Sequence, residues 1–257
     1  MCPHDRIISG GTEAHAQHPA EKHDLYFSMP QCFSGNYFFA AGKTFATNYC
    51  CVNCSMTPER TERLTAVLNK RQPDLTVLLE NVFDPHNISA VMRTCDAVGI
   101  QDIYILNTKI PPHKKWGAKS SSSADKWLSI HQFTNAMECF TELRKHFKKI
   151  YTTHLSTDAV GLHELNLTEP VALVFGNEHS GVSEEIIAMA DGNFIIPQVG
   201  IIKSLNISVA CAVSLYEAYR QKSNAGHYDQ VKLEGKKLKS LRDEWGFIEN
   251  DFLPGSR

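Results

Sequence analysis

The sequence predicts an α/β fold, a mostly parallel sheet flanked by helices. Short apolar runs rich in Val, Ile and Leu occur at 75–79, 103–106, 150–153, 171–175 and 193–196. Helical patterns at 88–98, 135–147, 183–190 and 204–221 separate them. The runs are nearly continuous rather than alternating, as expected of strands covered on both faces. Strands alternating with helices give parallel sheets.

The chain has 257 residues, 42% hydrophobic and 21% charged, enough for one sizeable domain with extensions. A net charge of -2 excludes a bulk polycation, so any nucleic-acid binding must come from local basic patches. No apolar stretch reaches membrane-spanning length. Residues 1–30 carry His15, His18, Glu21, Lys22 and His23 and no signal-peptide core. A cytoplasmic location with no membrane partner is expected. Cys95, Cys139 and Cys211 sit singly in apolar patterns and are expected to be buried, reduced thiols.

Composition changes near Met56, where periodicity begins. Thr57-Pro58-Glu59-Arg60 reads as a helix start, with Thr57 as cap and Pro58 in the first turn. The domain reading is an N-terminal extension over 1–55, a core domain over 56–222 and a basic, partly helical tail over 223–257. Three readings of the extension stand open: translated sequence before a natural start at Met56, a disordered tail, or a zinc-binding segment. Its Cys51-Val-Asn-Cys54 is a single C-x-x-C without a second paired half, so no metal is expected.

Three segments carry the chemistry. The first is Asn81-Val-Phe-Asp-Pro-His-Asn-Ile-Ser-Ala-Val-Met-Arg-Thr, residues 81–94. Asn87 is the expected helix cap, and Ile88, Val91, Cys95 and Val98 form one apolar stripe. Arg93 lies off that stripe and is open to a ligand, or is a solvated arginine on a surface helix. The second is Val171-Ala-Leu-Val-Phe-Gly-Asn-Glu-His-Ser-Gly-Val-Ser, residues 171–183, a buried strand running through a loop into a helix near Ser183. Loops at the carboxyl ends of parallel strands are where such folds bind ligands. Gly176 and Gly181 have P-loop spacing, but Val182 replaces the required lysine, which excludes a P-loop NTPase. No G-x-G-x-x-G is present, which disfavours a nucleotide-dependent oxidoreductase. The third is Ile195-Ile-Pro-Gln-Val-Gly-Ile-Ile-Lys-Ser-Leu-Asn-Ile-Ser-Val-Ala, residues 195–210. Here Ser204 is expected to cap a long helix rich in small residues, Ser208, Ala210, Ala212 and Ser214. Ser204 and Asn206 at its N-terminus could bind an anion or a substrate hydroxyl; taken alone, a tightly packed core helix fits as well.

In this order the three segments resemble the signature motifs of the TrmH family of SPOUT RNA methyltransferases. Arg71-Gln-Pro-Asp-Leu-Thr-Val and Arg220-Gln-Lys-Ser-Asn-Ala-Gly-His-Tyr resemble the tRNA guanosine-18 enzymes of that family, and the similarity spans about 56–228. The resemblance implies a C-terminal deep trefoil knot over about 171–215, a fold feature no periodicity argument reaches. It implies S-adenosylmethionine bound at Thr153, Gly176, Ile196 and Leu205, with apolar side chains walling the adenine and backbone groups reading its edge. It implies catalytic roles for Asn87, Arg93, Glu178, Ser204 and Asn206 in the attack of a ribose 2'-oxygen on the sulfonium methyl. The family's arginine is assigned as the base. An arginine holds its proton too tightly for that, so Arg93 is expected to anchor the ribose-phosphate and stabilise the developing alkoxide. The resemblance further implies a homodimer with the site assembled across subunits, for which the small-residue face of helix 204–221 is the expected interface.

A basic strip for tRNA is expected from Lys109, Lys114, Lys115, Lys119 and Lys126, with Arg220 and the tail lysines. Trp116 could stack on an unpaired base or sit in the core. The functional expectation is 2'-O-methylation of guanosine-18 in the tRNA D-loop. The alternatives are 2'-O-methylation of ribosomal RNA and a non-catalytic RNA-binding protein on the same fold.

Overall fold

The structure, a computed structural model, describes residues 56–113, 124–202 and 204–247. The expectations for residues 1–55 and for Lys114, Lys115, Trp116 and Lys119 lie outside the described residues.

Helix α1 (Pro58–Asn69) opens the domain, and the Thr57 hydroxyl accepts from the Arg60 amide as expected of its cap. Then come β1 (Leu75–Glu80), α2 (Pro85–Ala97), β2 (Asp102–Leu106), β3 (Ser129–Phe133) and α3 (Ala136–His146). These are followed by β4 (Lys149–Thr153), β5 (Val160–Gly161), β6 (Val171–Phe175), α4 (Glu184–Met189) and β7 (Gly192–Ile195). Helices α5 (Ile207–Asn224) and α6 (Gly235–Glu244) complete the order. The strands form one seven-stranded sheet, ordered β3-β2-β1-β6-β4-β7-β5, and every pairing is parallel.

The central strands bury both faces, as their unbroken apolar runs predict. Leu75, Val77 and Leu79 of β1 point to one side, against Ile88, Val91 and Cys95 of α2 and Cys211 and Leu215 of α5. Leu78 points to the other, with Ala172 and Val174 of β6, Phe140 and Leu143 of α3, and Ile186 of α4. The period-two geometry of a strand sorts these neighbours onto opposite layers. Cys95, Cys139 and Cys211 are free and buried, and burial pushes the Cys139 thiol up to about 12.

Two strands escape the sequence pattern. Strand β3, Ser-Ile-His-Gln-Phe, lies at the sheet edge with none of its residues fully buried, so it needs no apolar run. Strand β5 has only two residues. Two helix starts also move. Asp84, not Asn87, caps α2: its carboxylate accepts from the His86 amide, and Pro85 occupies the first turn, where no backbone donor is needed. Asn206, not Ser204, caps α5 by accepting from the Ser208 amide at 2.8 Å. Ser204 is exposed and precedes the helix.

A third cluster joins Leu68 of α1 to Leu233, Leu241, Trp245 and Phe247 of the tail, with Trp127 packed against it. Beside it Arg71 is fully buried. Its guanidinium donates to Asp96 at 2.7 Å and to the carbonyls of Ile100 and Trp127, and lies over the Trp245 ring. Tail lysines are partly spent on ion pairs: Lys232 meets Asp74 at 2.8 Å, and Lys237 pairs with Asp102. Lys222, fully buried, also reaches Asp74, at 3.0 Å. No helix among the described residues is long and apolar enough to cross a membrane.

Candidate active site

Parallel strands deliver all their exit loops to one end of the sheet, and the three signature segments meet there. Strand β1 ends on Glu80, a buried carboxylate whose Oε2 accepts from the Ser183 amide at 2.9 Å. That bond fixes the start of α4 and with it the loop after β6. Asn81 then turns the chain at a φ of 47°, a left-handed conformation that asparagine tolerates. Its side chain accepts from the Lys109 amide at 2.8 Å and donates to Thr108. Glu80 and Asn81 stand outside the predicted site. A carboxylate closing an otherwise apolar strand was the signal for Glu80.

The loop after β6 is built on glycine. A Cβ at Gly176 would lie 1.9 Å from the Gly181 carbonyl carbon and 2.1 Å from the Val182 nitrogen. The loop closes through paired backbone hydrogen bonds between Asn177 and Gly181 of 3.1 and 3.2 Å. The Asn177 side chain accepts from the amides of His179 and Ser180. Glu178 is thereby held exposed at the tip of a pinned turn.

Asn87, released from capping, sits in the first turn of α2 and donates to the Glu178 carboxylate at 2.5 Å. Its Oδ1 accepts from Asn206 Nδ2 at 3.2 Å. Asn206 uses its own Oδ1 to cap α5, accepting from the Ser208 amide and hydroxyl at 2.8 and 2.6 Å. One chain therefore brings together Asn87, Glu178 and Asn206, one from each segment. The cluster presents an exposed carboxylate and amide groups with hydrogen-bonding capacity left over, suited to holding a hydroxyl.

Thr153, Gly176, Ile196 and Leu205 lie at the same end, at or just beyond the ends of β4, β6 and β7 and before α5. The Thr153 hydroxyl donates to the Val174 carbonyl. Ile196 packs on the first core, while Leu155, Val199, Ile201, Ile202 and Leu205 are exposed apolar side chains on the flanking loops.

The remaining predicted residues are elsewhere. Arg93 is exposed, as its position off the apolar stripe predicts. It lines a shallow groove with Ala90, Thr94, Ala97 and Tyr216. Six residues along α2 from Asn87, it stands about 9 Å further down the axis and faces another direction. Arg220 lies over three turns along α5 and makes a bidentate pair with Glu217 at 2.7 and 3.0 Å. That hydrogen-bonded guanidinium holds the Glu217 carboxyl down at about 2. Lys126 is exposed in a short 3-10 turn before β3, at the end where strands begin, away from the site. Of Ser208, Ala210, Ala212 and Ser214 on α5 only Ser214 is buried, bonding to the Ala210 carbonyl; the other three are half-buried. The outward stripe is Val209, Val213 and Tyr216. Among the described residues no group of three or more His, Cys, Asp or Glu side chains could hold a metal ion.

Comparison with known proteins bears on this arrangement. Residues 74–216 match the family described as the SpoU rRNA methylase family. The tRNA (guanosine(18)-2'-O)-methyltransferase of Thermus thermophilus is 42% identical over 191 residues, spanning 74% of this chain and 96% of that enzyme. The crystal structure of the Aquifex aeolicus TrmH/SpoU tRNA modifying enzyme superposes with a TM-score of 0.68 at 37% identity, covering 73% of this chain and 94% of that one. An AdoMet-bound rRNA methyltransferase from Sinorhizobium meliloti superposes with a TM-score of 0.53 at 27% identity, covering 59% and 58%. The chain belongs to the SpoU rRNA methylase family.

Proposed function

We propose that this protein methylates the 2'-oxygen of a guanosine ribose in tRNA, guanosine-18 of the D-loop, using S-adenosylmethionine. The observation that carries the reading is the Asn87–Glu178–Asn206 cluster at the carboxyl end of the sheet, in a chain 42% identical to a tRNA (guanosine(18)-2'-O)-methyltransferase. The ribosomal-RNA reading draws less support, because the rRNA relative matches at 27% identity over 58% of its length.

The residues fit the cofactor. Exposed apolar side chains, Leu155, Val199, Ile201, Ile202 and Leu205, collar the ends of β4 and β7, matching an adenine and a thioether better than a phosphate. Thr153, Gly176, Ile196 and Leu205 are the positions that hold it. When bound, S-adenosylmethionine supplies an electrophilic sulfonium methyl. In-line attack needs the ribose held still and its hydroxyl proton removed. Asn87, Glu178 and Asn206 hold the ribose hydroxyl, with Ser204 beside them on the exposed approach. Arg93 anchors the neighbouring phosphate and stabilises the developing alkoxide.

Within one chain Arg93 and Asn206 are apart, so the complete site takes Arg93 from the partner of a homodimer. The exposed Val209–Val213–Tyr216 stripe, continuous with the Arg93 groove, supports α5 as the contact. The trefoil knot over 171–215, the 56–222 domain limits and a cytoplasmic location belong to the same reading. Asn206 reaches Asn87 of α2 although β4 and β6 separate β7 from β1 in the sheet, which supports the knot. Lys109, Lys126 and Arg220, with Lys114, Lys115 and Lys119, are the proposed phosphate contacts. Methyl transfer from labelled S-adenosylmethionine to unmodified tRNA, followed by nucleoside mapping, tests the reading. Label on a base instead of a ribose overturns it.

A further inference from the structure

We propose that Phe83 and His179 form a stacking platform for the nucleobase attached to the methylated ribose, a reading that rests on the proposed tRNA methylation. Phe83 projects from the turn after β1 and is 51% exposed. His179, also exposed, stands on the loop after β6, and the two rings lie 5.7 Å apart at 57°. A half-exposed phenylalanine on a loop gains nothing from water, but its face can stack on any base.

Three placements point to a base. Phe83 lies four residues before Asn87, and His179 follows Glu178, so the pair borders the cluster assigned to the ribose hydroxyl. Both rings stand on pinned backbone: Asn81 is tied to Thr108 and Lys109, and the His179 amide donates to Asn177. Sheet order sets Phe83 apart from three of the four cofactor positions: β1 flanks β6 on one side, while β4 and β7, which lead to Thr153, Ile196 and Leu205, lie on the other. The base would thus enter over β1, the methyl donor over β4 and β7, with the Asn87–Glu178 bond between them.

Residues 108–113 run beside the turn that carries Phe83: Thr108 and Lys109 bond Asn81, and His113 bonds the Val82 carbonyl at 2.8 Å. That segment carries Lys109, whose amide donates to Asn81, two residues before Phe83.

The test uses a tRNA transcript with 2-aminopurine at the nucleotide that wild-type protein methylates in the unmodified transcript. Stacking on Phe83 quenches its fluorescence when wild-type protein binds. Phe83→Leu keeps an apolar side chain but removes the ring, and is expected to abolish the quench and raise the Kd for the transcript about 5- to 150-fold. His179→Ala reduces the quench, Phe83→Tyr preserves it, and all three retain wild-type affinity for S-adenosylmethionine. A Leu variant that quenches and binds like wild type overturns the platform while leaving methylation standing. So does a Leu variant whose loss is confined to S-adenosylmethionine affinity, since the rings would then serve the cofactor. Wild-type protein that methylates no tRNA removes the underlying reading as well.

Discussion

Replacing Gly176 with alanine isolates the geometry on which the β6 exit loop depends. The new methyl would sit 1.9 Å from the Gly181 carbonyl carbon and 2.1 Å from its oxygen and from the Val182 nitrogen. All three are backbone atoms, so no rotamer change relieves the overlap, and the loop must open by about 1 Å or more. Opening it breaks the two Asn177–Gly181 backbone bonds, worth about 0.5–1.5 kcal/mol each. It also disturbs Val182, which is buried in the second core cluster. The expected loss of stability is about 2–4 kcal/mol, a fall in Tm of about 5–15 °C for a domain of this size. A displacement of that size at Glu178 should lower methyl transfer about 100-fold. Gly181→Ala is the control: its φ of +68° strains any side chain, but nothing lies within 4 Å of its Cβ position, so it should cost about 1–2 kcal/mol. Circular-dichroism melts, S-adenosylmethionine titration and transfer assays on both variants decide the point. A Gly176→Ala protein with wild-type melting and transfer would refute the reasoning.

Other outcomes follow from the same structure. Arg93→Ala and Asn206→Ala proteins should each be inactive, yet unfolding and refolding them together should restore about a quarter of wild-type transfer if sites form across a two-fold; no recovery argues for a site within one chain. Asp74→Asn leaves buried Lys222 facing Lys232 without a carboxylate and should destabilise by about 3–5 kcal/mol in urea unfolding. Glu217 has its carboxyl lowered from 4.5 to about 2, chiefly by hydrogen bonds from Arg220. Its contribution is therefore present above pH 4.5 and lost as pH falls toward 2. Glu217→Gln should be less stable at neutral pH and should lose stability less steeply across that window, as read from urea titrations at successive pH values.

Much of this fold was legible because its central strands are covered twice. The runs at 75–79, 103–106 and 171–175 had no polar face to disguise them, and the cap at Thr57 announced α1. Strand β3 was not legible, since an edge strand carrying His131 and Gln132 has no apolar run to find. Asp84-Pro85 repeats the Thr57-Pro58 pattern of cap followed by proline, and since Asp and Asn cap about equally well, it is the proline that distinguishes Asp84 from Asn87 as the start of α2. The site divides in the same way. Residue types in each segment pointed to chemistry, but the Asn87–Glu178 bond joins positions 91 apart in sequence, and no local period encodes that distance. The separation of Arg93 from Asn87 was available all along. Six residues on a helix turn through about 600°, which puts the two side chains on different faces.

The burial of Arg71 reaches beyond its own hydrogen bonds. Its guanidinium is roofed by Trp245 and floored by the carbonyls of Ile100 and Trp127, so the first helix, the β2–β3 connection and the far terminus share one cation. Lifting the terminus would leave that charge facing water on one side and an apolar cleft on the other. The two ends of the domain are thus thermodynamically spliced: they come undone together, and damage at either is felt at both.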